Sequence, residues 1–139
     1  MRQVTGYPVF LSNAYEARDL RAIHAAEIQA VVDLALNEPP LQVTRDLVYC
    51  RFPLIDGSGN PPWLIRAAVE ILVGLLRANV PTLAYCSAGL SRTPVIVAAA
   101  IARLKGTSLH NELCAVLLNA PADVSPALVA EVETVLRTG

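Results

Sequence analysis

One short stretch of the chain, residues 83–94 (Leu-Ala-Tyr-Cys-Ser-Ala-Gly-Leu-Ser-Arg-Thr-Pro), limits the fold and the chemistry more than any other. Cys86 follows an apolar run, Arg92 comes six residues later, and a long apolar segment begins directly afterwards. Five residues between the two allow the backbone to curl into a cup whose N–H groups face an anion, ahead of a positively polarised helix N-terminus. The stretch therefore predicts an anion-binding loop between a strand and a helix.

The residue types in this loop suit phosphate. The guanidinium fork of Arg92 can grip two oxygens of a tetrahedral dianion. The same positive surroundings favour the thiolate form of Cys86, which is the form that attacks phosphorus. Gly89 lies in mid-loop, where a Cβ would obstruct a tight turn around a ligand, and Ser91 and Thr93 place hydroxyls near the sulfur and the loop. We predict that phosphate is bound by Ser87, Ala88, Gly89, Leu90, Ser91 and Arg92.

The segment Cys86-x-x-Gly89-x-x-Arg92-Thr93 resembles the signature loop of the cysteine-dependent protein tyrosine phosphatases, and its Gly-Leu-Ser-Arg-Thr part is most similar to their small dual-specificity branch. The resemblance implies hydrolysis of phosphotyrosine and phosphoserine/threonine in proteins through a phosphocysteine intermediate. We expect Thr93, through its hydroxyl, and Tyr85 to support the loop. The chain departs from the family pattern at Tyr85, because the family usually has a His there that helps to hold the loop and tune the thiol.

A phosphocysteine mechanism also needs an acid that gives a proton to the leaving oxygen. Asp56 is the best candidate because it follows a strand pattern, lies in a Gly/Pro-rich loop and precedes Cys86 by thirty residues. The resemblance implies the same role, since small dual-specificity phosphatases carry their acid on a loop at this place, and Phe52-Pro53-Leu54-Ile55-Asp56 is similar to it. The alternative interpretation is that Asp56-Gly57 is only a turn dipeptide.

Apolar patterns and turn residues alternate along the whole chain. They predict strands at 8–12, 28–34, 46–52 and 82–85, and helices at 16–26, 63–79, 93–105, 108–119 and 126–137. In the helix at 63–79 we expect the inward face to hold Trp63, Ala67, Ile71, Leu72, Leu75 and Leu76. This order favours an α/β fold with a central, mostly parallel sheet of 4–5 strands and helices on both faces. The resemblance implies that this fold is of the protein tyrosine phosphatase type, in its dual-specificity form. We expect residues 1–139 to form one such catalytic domain.

Composition argues against several classes of protein. A net charge of −1 gives no sign of nucleic-acid or acidic-membrane binding, and 54% hydrophobic residues are enough for a core. The apolar runs end well short of the ~20 residues that a membrane span needs, and the N-terminus has no signal-peptide core. His24 and His110 have no partner at metal-ligand spacing, so neither a metal nor a cofactor is expected.

The three cysteines are an odd number at irregular spacing, which does not indicate a disulfide framework. We therefore expect a reduced, cytoplasmic setting, which a thiolate nucleophile also needs. Cys50 precedes the acid loop and is interpreted either as a core thiol or as a disulfide partner of Cys86. Cys114 is expected in the core.

Other functions stay open at this level. A catalytically weak phosphate-binding module of the same fold would explain Tyr85, and a rhodanese-like sulfurtransferase or an arsenate reductase would also use a loop that begins with a cysteine. The expected ligand is a phosphorylated protein or a small phosphomonoester, with phosphate or sulfate bound in the loop. The variable loop residues Ser87, Ala88 and Leu90 are not basic, which argues against phosphoinositides.

Overall fold

The computed structural model describes residues 1–44 and 46–138. Its strands are β1 (Arg2–Gln3), β2 (Val9–Asn13), β3 (Ala30–Ala35), β4 (Val48–Leu54) and β5 (Thr82–Cys86). Its helices are a 3-10 helix (Glu16–Arg18), α1 (Leu20–Ala25), α2 (Pro62–Arg77), α3 (Arg92–Lys105), α4 (Leu109–Leu117) and α5 (Pro126–Thr138). The predicted first helix is thus divided at Asp19, whose side chain accepts a hydrogen bond from the Ala22 N–H and caps α1.

The five strands form one sheet in the order β1-β2-β5-β3-β4. Four of these strands are parallel to one another: β2, β5, β3 and β4. The remaining strand, β1, runs antiparallel to β2, and the sequence did not predict it. The predicted α/β architecture is therefore confirmed. Because parallel strands end at the same edge, Cys86 at the end of β5 lies beside Asn13 at the end of β2, at the edge where α/β proteins bind ligands.

The central strand β5 is buried on both faces because successive side chains alternate between two apolar layers. Leu83 and Tyr85 pack in a layer with Ile23 of α1, whereas Ala84 and Cys86 pack in the larger layer formed by α2, α3, α4 and α5. Every residue of α3 from Arg92 to Ala102 is buried, as expected for a helix that is apolar on nearly every side. In the described part of the chain, no helix combines the length and the apolar character needed to cross a membrane.

The predicted inward face of α2 was partly wrong. Trp63 is 66% exposed and Ile71 also faces solvent, although Leu72 and Leu76 are buried as predicted. Apolar residues cover most of the circumference of α2, so their spacing alone does not select one arc. Packing against β4, α3 and α5 selects an arc that buries Leu64, Ile65, Ala68, Val69, Leu72, Val73 and Leu76.

The structure also decides the roles considered for two cysteines. Cys114 is exposed on α4, so its predicted place in the core was wrong. Cys50 pairs with Val32 of β3, and Val32 in turn pairs with Ala84 of β5, so a whole strand separates Cys50 from Cys86. Neighbouring strands are ~4.8 Å apart and a disulfide needs Cα atoms within ~7 Å. A Cys50–Cys86 disulfide therefore does not form in this fold.

Candidate active site

The carboxyl edge of the sheet opens into a cavity of about 370 Å³. Cys86, Arg92 and Asp56, the three residues given chemical roles from the sequence, all line it. Cys86 is 2% exposed and Arg92 is 6% exposed, whereas Asp56 is exposed on the loop after β4. The buried thiol and guanidinium thus form the inner wall of the cavity, and the carboxyl group lies at its rim.

The loop from Ser87 to Ser91 joins β5 to α3 and offers a row of free donors. None of its backbone N–H groups donates a hydrogen bond to a residue that the structure describes. The first N–H groups of α3, which begins at Arg92, also lack partners within the helix. Consecutive unpaired amides beside a helix N-terminus form a concave binding site for an anion.

Neighbouring segments hold this loop by its oxygen atoms. The bonds are Ala14 N–H to Ser87 O (3.0 Å), Asp123 N–H to Leu90 O (3.1 Å) and Ser125 N–H to Ser91 Oγ (2.9 Å). Since they use acceptors of the loop and none of its N–H groups, they fix the backbone while leaving its donors free.

Gly89 is required by the neighbouring strand. Its φ of +76° is a conformation that residues with a side chain rarely adopt. A Cβ built there would lie 2.9 Å from the carbonyl oxygen of Ser12 in β2, which is closer than van der Waals contact allows. The sequence indicated that a Cβ would obstruct the loop, and the structure shows that the obstruction comes from the side of β2.

Arg92 joins the two loops that border the cavity. One terminal nitrogen of its guanidinium donates a hydrogen bond to the carbonyl oxygen of Leu54 at 2.8 Å, two residues before Asp56. This bond fixes the orientation of the planar group and leaves its other N–H donors for an anion. The next residue, Thr93, is fully buried, and its hydroxyl has no hydrogen-bond partner among the described residues.

The loop that carries Asp56 is held by the side chain of Asn60, which is buried. Its Oδ1 accepts from the Ile55 N–H at 2.7 Å, and its Nδ2 donates to the carbonyl oxygens of Ile55 at 3.1 Å and Gly57 at 3.2 Å. These three bonds close a ring around Asp56. The carboxyl group is therefore presented by an ordered turn.

Glu131 of α5 completes this anchor from the other side. Its carboxylate accepts from the Gly59 N–H at 2.6 Å, from the Asn60 N–H at 3.2 Å and from Asn60 Nδ2 at 3.1 Å. Burial alone raises the pKa of Glu131, but these bonds to the charged form outweigh it and leave the pKa below its ordinary value. The carboxylate form of Glu131 is therefore the one that fixes the Asp56 loop.

Tyr85 lies on the face of the sheet opposite to Cys86 and is completely buried beside Asp33 of β3. Burial first, and then the charge of Asp33, raise the pKa of Tyr85 far above its ordinary value. The Asp33 carboxylate accepts a hydrogen bond from the Tyr49 hydroxyl at 2.5 Å and lies 3.6 Å from Arg51 Nε. Tyr85 is thus a neutral phenol and adds no positive charge beneath the anion loop.

Sequence reasoning missed four polar residues of this site: Glu38, Asn60, Asp123 and Glu131. Glu38 Oε2 accepts a hydrogen bond from Ser87 Oγ at 2.8 Å across 49 residues of chain, and Glu131 reaches Asn60 across 71. Asp123 lines the cavity. Local spacing carries no signal for such distant partners. In the described ranges, no group of three or more His, Cys, Asp or Glu residues is placed to hold a metal ion.

Comparison with known families gives a match that includes both loops of the cavity. The family described as "Polymorphic toxin system, DSP-PTPase phosphatase" (Tc-R-P) matches residues 6–106 of the chain. The chain belongs to this family. The membership of the dual-specificity phosphatase group that the signature loop predicted is thereby confirmed. Among curated proteins, no sequence matches the chain significantly.

Solved structures of dual-specificity phosphatases share the fold of this family member. Human DUSP28 is 20% identical, with 96% of this chain and 94% of that chain covered and a TM-score of 0.81. A human "tyrosine phosphatase-like serine/threonine/tyrosine-interacting protein" is 17% identical (96% and 93% covered, TM-score 0.82). A mouse putative dual specificity phosphatase complexed with zinc tungstate is 21% identical (94% and 83% covered, TM-score 0.80). At these identities the likeness establishes the fold.

Proposed function

We propose that this protein is an active cysteine-dependent phosphatase that hydrolyses phosphotyrosine and phosphoserine/threonine in proteins. The observation that carries the proposal is the row of unpaired loop amides between a buried cysteine and a buried arginine, in one cavity with an exposed carboxyl group. Membership of a phosphatase family adds support. So does the mouse protein of the same fold, whose structure contains tungstate, a tetrahedral oxyanion with the shape of phosphate.

In the first step, the substrate phosphate enters the loop, with its oxygens on the amides of residues 87–92 and on the Arg92 guanidinium. The Cys86 thiolate attacks phosphorus, so that a sulfur–phosphorus bond forms while the bond to the ester oxygen breaks. Asp56, protonated at this stage, gives its proton to the leaving oxygen, which departs as an alcohol or phenol. The products of this step are a phosphocysteine and the Asp56 carboxylate.

In the second step, a water molecule attacks the phosphorus of the phosphocysteine and passes a proton to the Asp56 carboxylate. The phosphorus–sulfur bond breaks, inorganic phosphate leaves and the Cys86 thiolate is restored. The Thr93 hydroxyl has no other partner among the described residues and is close along the chain, so we assign it to stabilising the thiolate. Tyr85 is assigned a packing role beneath the loop, because it is buried and neutral.

The cellular compartment is inferred from the need for a reduced Cys86 thiol. Cys50, Cys86 and Cys114 are all free thiols, and oxidation of Cys86 would remove the nucleophile, so we propose a reducing compartment such as the cytoplasm. The family description names polymorphic toxin systems, and we extend that setting to this chain.

The proposal is tested by the pH–rate profile of aryl phosphate hydrolysis for the native protein, Cys86→Ser and Asp56→Asn. Native protein is expected to show a bell-shaped profile, and Cys86→Ser is expected to show no turnover. Asp56→Asn is expected to lose ~10²–10⁴-fold in rate together with the decline on the alkaline side of the profile. An Asp56→Asn profile that overlays the native one would exclude Asp56 as the acid.

A second candidate is a phosphate-binding module with little turnover. Two observations favour it: the neutral Tyr85 where the family usually has a His, and a neighbour of the same fold that is named phosphatase-like and interacting. It predicts that the native protein and Cys86→Ser bind phosphate equally well and that neither hydrolyses an aryl phosphate. No observation favours a sulfurtransferase.

A further inference from the structure

We propose that this active site selects phosphorylated peptide segments with basic and apolar neighbours and discriminates against polyanionic phosphate esters such as inositol polyphosphates. The inference rests on the proposed function and adds the substrate class. It follows from the charges around the cavity, from the way two acidic residues are tied to the anion loop, and from the apolar character of the rim.

Among residues 1–44 and 46–138, one cation lines the cavity, and its other walls are negative or neutral. Among the described residues that line it, Arg92 is the sole basic side chain, and it lies on the inner wall. Asp56 and Asp123 also line it, and Glu38 accepts a hydrogen bond from the lining residue Ser87. Asp56 is protonated when it acts as the acid, which leaves Asp123 and Glu38 as the carboxylates beside the phosphate site among the residues that the structure describes.

Both carboxylate residues are tied to the anion loop, one near each end. The Glu38 carboxylate accepts a hydrogen bond from Ser87 Oγ at 2.8 Å, and Ser87 directly follows Cys86 in the chain. The backbone N–H of Asp123 donates to the carbonyl oxygen of Leu90 at 3.1 Å, close to the start of α3. The loop thus fixes the Glu38 carboxylate directly and the backbone of Asp123, whose exposed side chain lines the cavity.

Other cations in this part of the molecule are held by other groups. Arg2 and the Met1 ammonium line a separate cavity beside Ala88–Leu90, where Arg2 donates to the carbonyl oxygen of Val116 at 2.9 Å and the ammonium pairs with Glu16. Arg51 lies 3.6 Å from the buried Asp33 carboxylate and donates to the carbonyl oxygen of Glu38 at 2.6 Å. Arg18 donates to the carbonyl oxygen of Ala14 at 2.6 Å. None of these four cations lines the cavity of Cys86, so none of them is placed there for a second phosphate group of a substrate.

The rim adds apolar surface next to these charges. Leu36 is 50% exposed after β3, Ile55 is 42% exposed after β4, and both line the cavity. Exposed aliphatic groups fit the side chains of a peptide or the ring of a phosphotyrosine. Additional phosphates would face Glu38 and Asp123, whereas Lys or Arg beside the phosphorylated residue would be attracted to them.

The test uses two phosphotyrosyl peptides that differ only in having Lys or Glu at the positions flanking the phosphotyrosine. For the native enzyme at low ionic strength, we expect kcat/KM to be about tenfold higher for the Lys peptide. The reason is that two carboxylates, each roughly 8 Å from a flanking charge in a mostly aqueous medium, attract Lys and repel Glu. The ratio should fall as salt is added. Glu38→Gln and Asp123→Asn should each lower it by about threefold. Glu133→Gln, a carboxylate on α5 beside a different cavity, should leave it unchanged.

Binding of both peptides and of an inositol polyphosphate to Cys86→Ser separates this inference from the proposed function. Tighter binding of the Lys peptide without hydrolysis by the native protein would refute turnover and uphold the selectivity. Hydrolysis of both peptides at equal rates, or a preference for the Glu peptide, would overturn the selectivity while leaving the phosphatase in place. Tighter binding of the inositol polyphosphate than of either peptide would overturn it as well.

Discussion

The two loops that border the cavity are held in opposite ways. The anion loop, residues 86–92, is fixed by contacts to its own backbone and by a glycine packed against β2, between a buried strand and a buried helix. The acid loop, residues 55–61, is largely exposed and depends on two side chains, Asn60 and Glu131. The loop to which we assign phosphate binding is thus built into the core, while the loop to which we assign proton delivery is attached to the surface by a few polar bonds.

This difference has a chemical consequence. Loss of a contact in the anion loop should affect every substrate, because each one places its phosphate there. Loss of the anchor of the acid loop should affect only substrates that need a proton on the leaving oxygen. Variants in the two loops therefore separate binding of phosphate from delivery of the proton.

The largest effect is expected from Arg92→Ala. This change removes the one guanidinium that lines the cavity in the described part of the chain, together with the bond to Leu54 that joins the two loops. We expect kcat/KM to fall by about 10³-fold or more for good and poor leaving groups alike. Inhibition by inorganic phosphate should weaken in parallel. An unchanged inhibition constant would mean that phosphate binds elsewhere.

A smaller loss is expected from Gly89→Ala, which forces a Cβ to within 2.9 Å of the Ser12 carbonyl oxygen at a φ of +76°. The strain should lower the free energy of unfolding by about 1–3 kcal/mol. It should also weaken phosphate binding. Chemical denaturation and phosphate inhibition measure the two effects. Gly74→Ala, at a helical position on the exposed side of α2 with open space around it, is the matched control and should not destabilise.

Glu131→Ala sharpens the comparison between the loops. It removes three bonds to the acid loop but touches no lining residue of the anion loop. We expect about a tenfold loss of kcat for phenyl phosphate, whose leaving oxygen needs the proton, and little loss for 2,4-dinitrophenyl phosphate. Glu133→Ala on the same helix serves as the control. An equal loss with both esters would show that Glu131 acts on overall folding and leaves proton delivery unaffected.

The smallest effect is a pH dependence of the acid-loop anchor. Because the pKa of Glu131 is lowered in the folded protein, its contribution is complete above the ordinary value of 4.5 and is lost as the pH falls through the lowered pKa. Exchange of the Gly59 and Asn60 amide protons should therefore become faster in acid, beyond the intrinsic effect of pH. Glu131→Gln should remove this dependence. The same acid sensitivity in that variant would point to another group.

The sequence was informative where structure depends on local residues. A cysteine, a glycine and an arginine at fixed spacing specify the anion loop, because each acts within the same seven residues or against the next strand. The parallel order of the strands followed from their alternation with helices. In contrast, the anchor from Asn60 to Glu131 spans 71 residues, and no local pattern marks it.

The inward face of α2 shows a second limit. Since apolar residues surround most of that helix, only its packing partners decide that Leu64 is buried and Trp63 is exposed. Cys114 illustrates the same point, because a cysteine among apolar residues of a helix is readily placed on the wrong side. Sequence patterns thus located the five longer helices but did not always predict which side of a helix faces the core.

The most direct measurement of the proposed mechanism is a rapid acid quench during turnover of an aryl phosphate, followed by mass spectrometry of the peptide that contains Cys86. We predict one phosphoryl group on that peptide, attached to sulfur and absent when the native protein is replaced with Cys86→Ser. Steady turnover with no phosphorylated cysteine, or with the phosphoryl group on another residue, would contradict a nucleophilic role for Cys86.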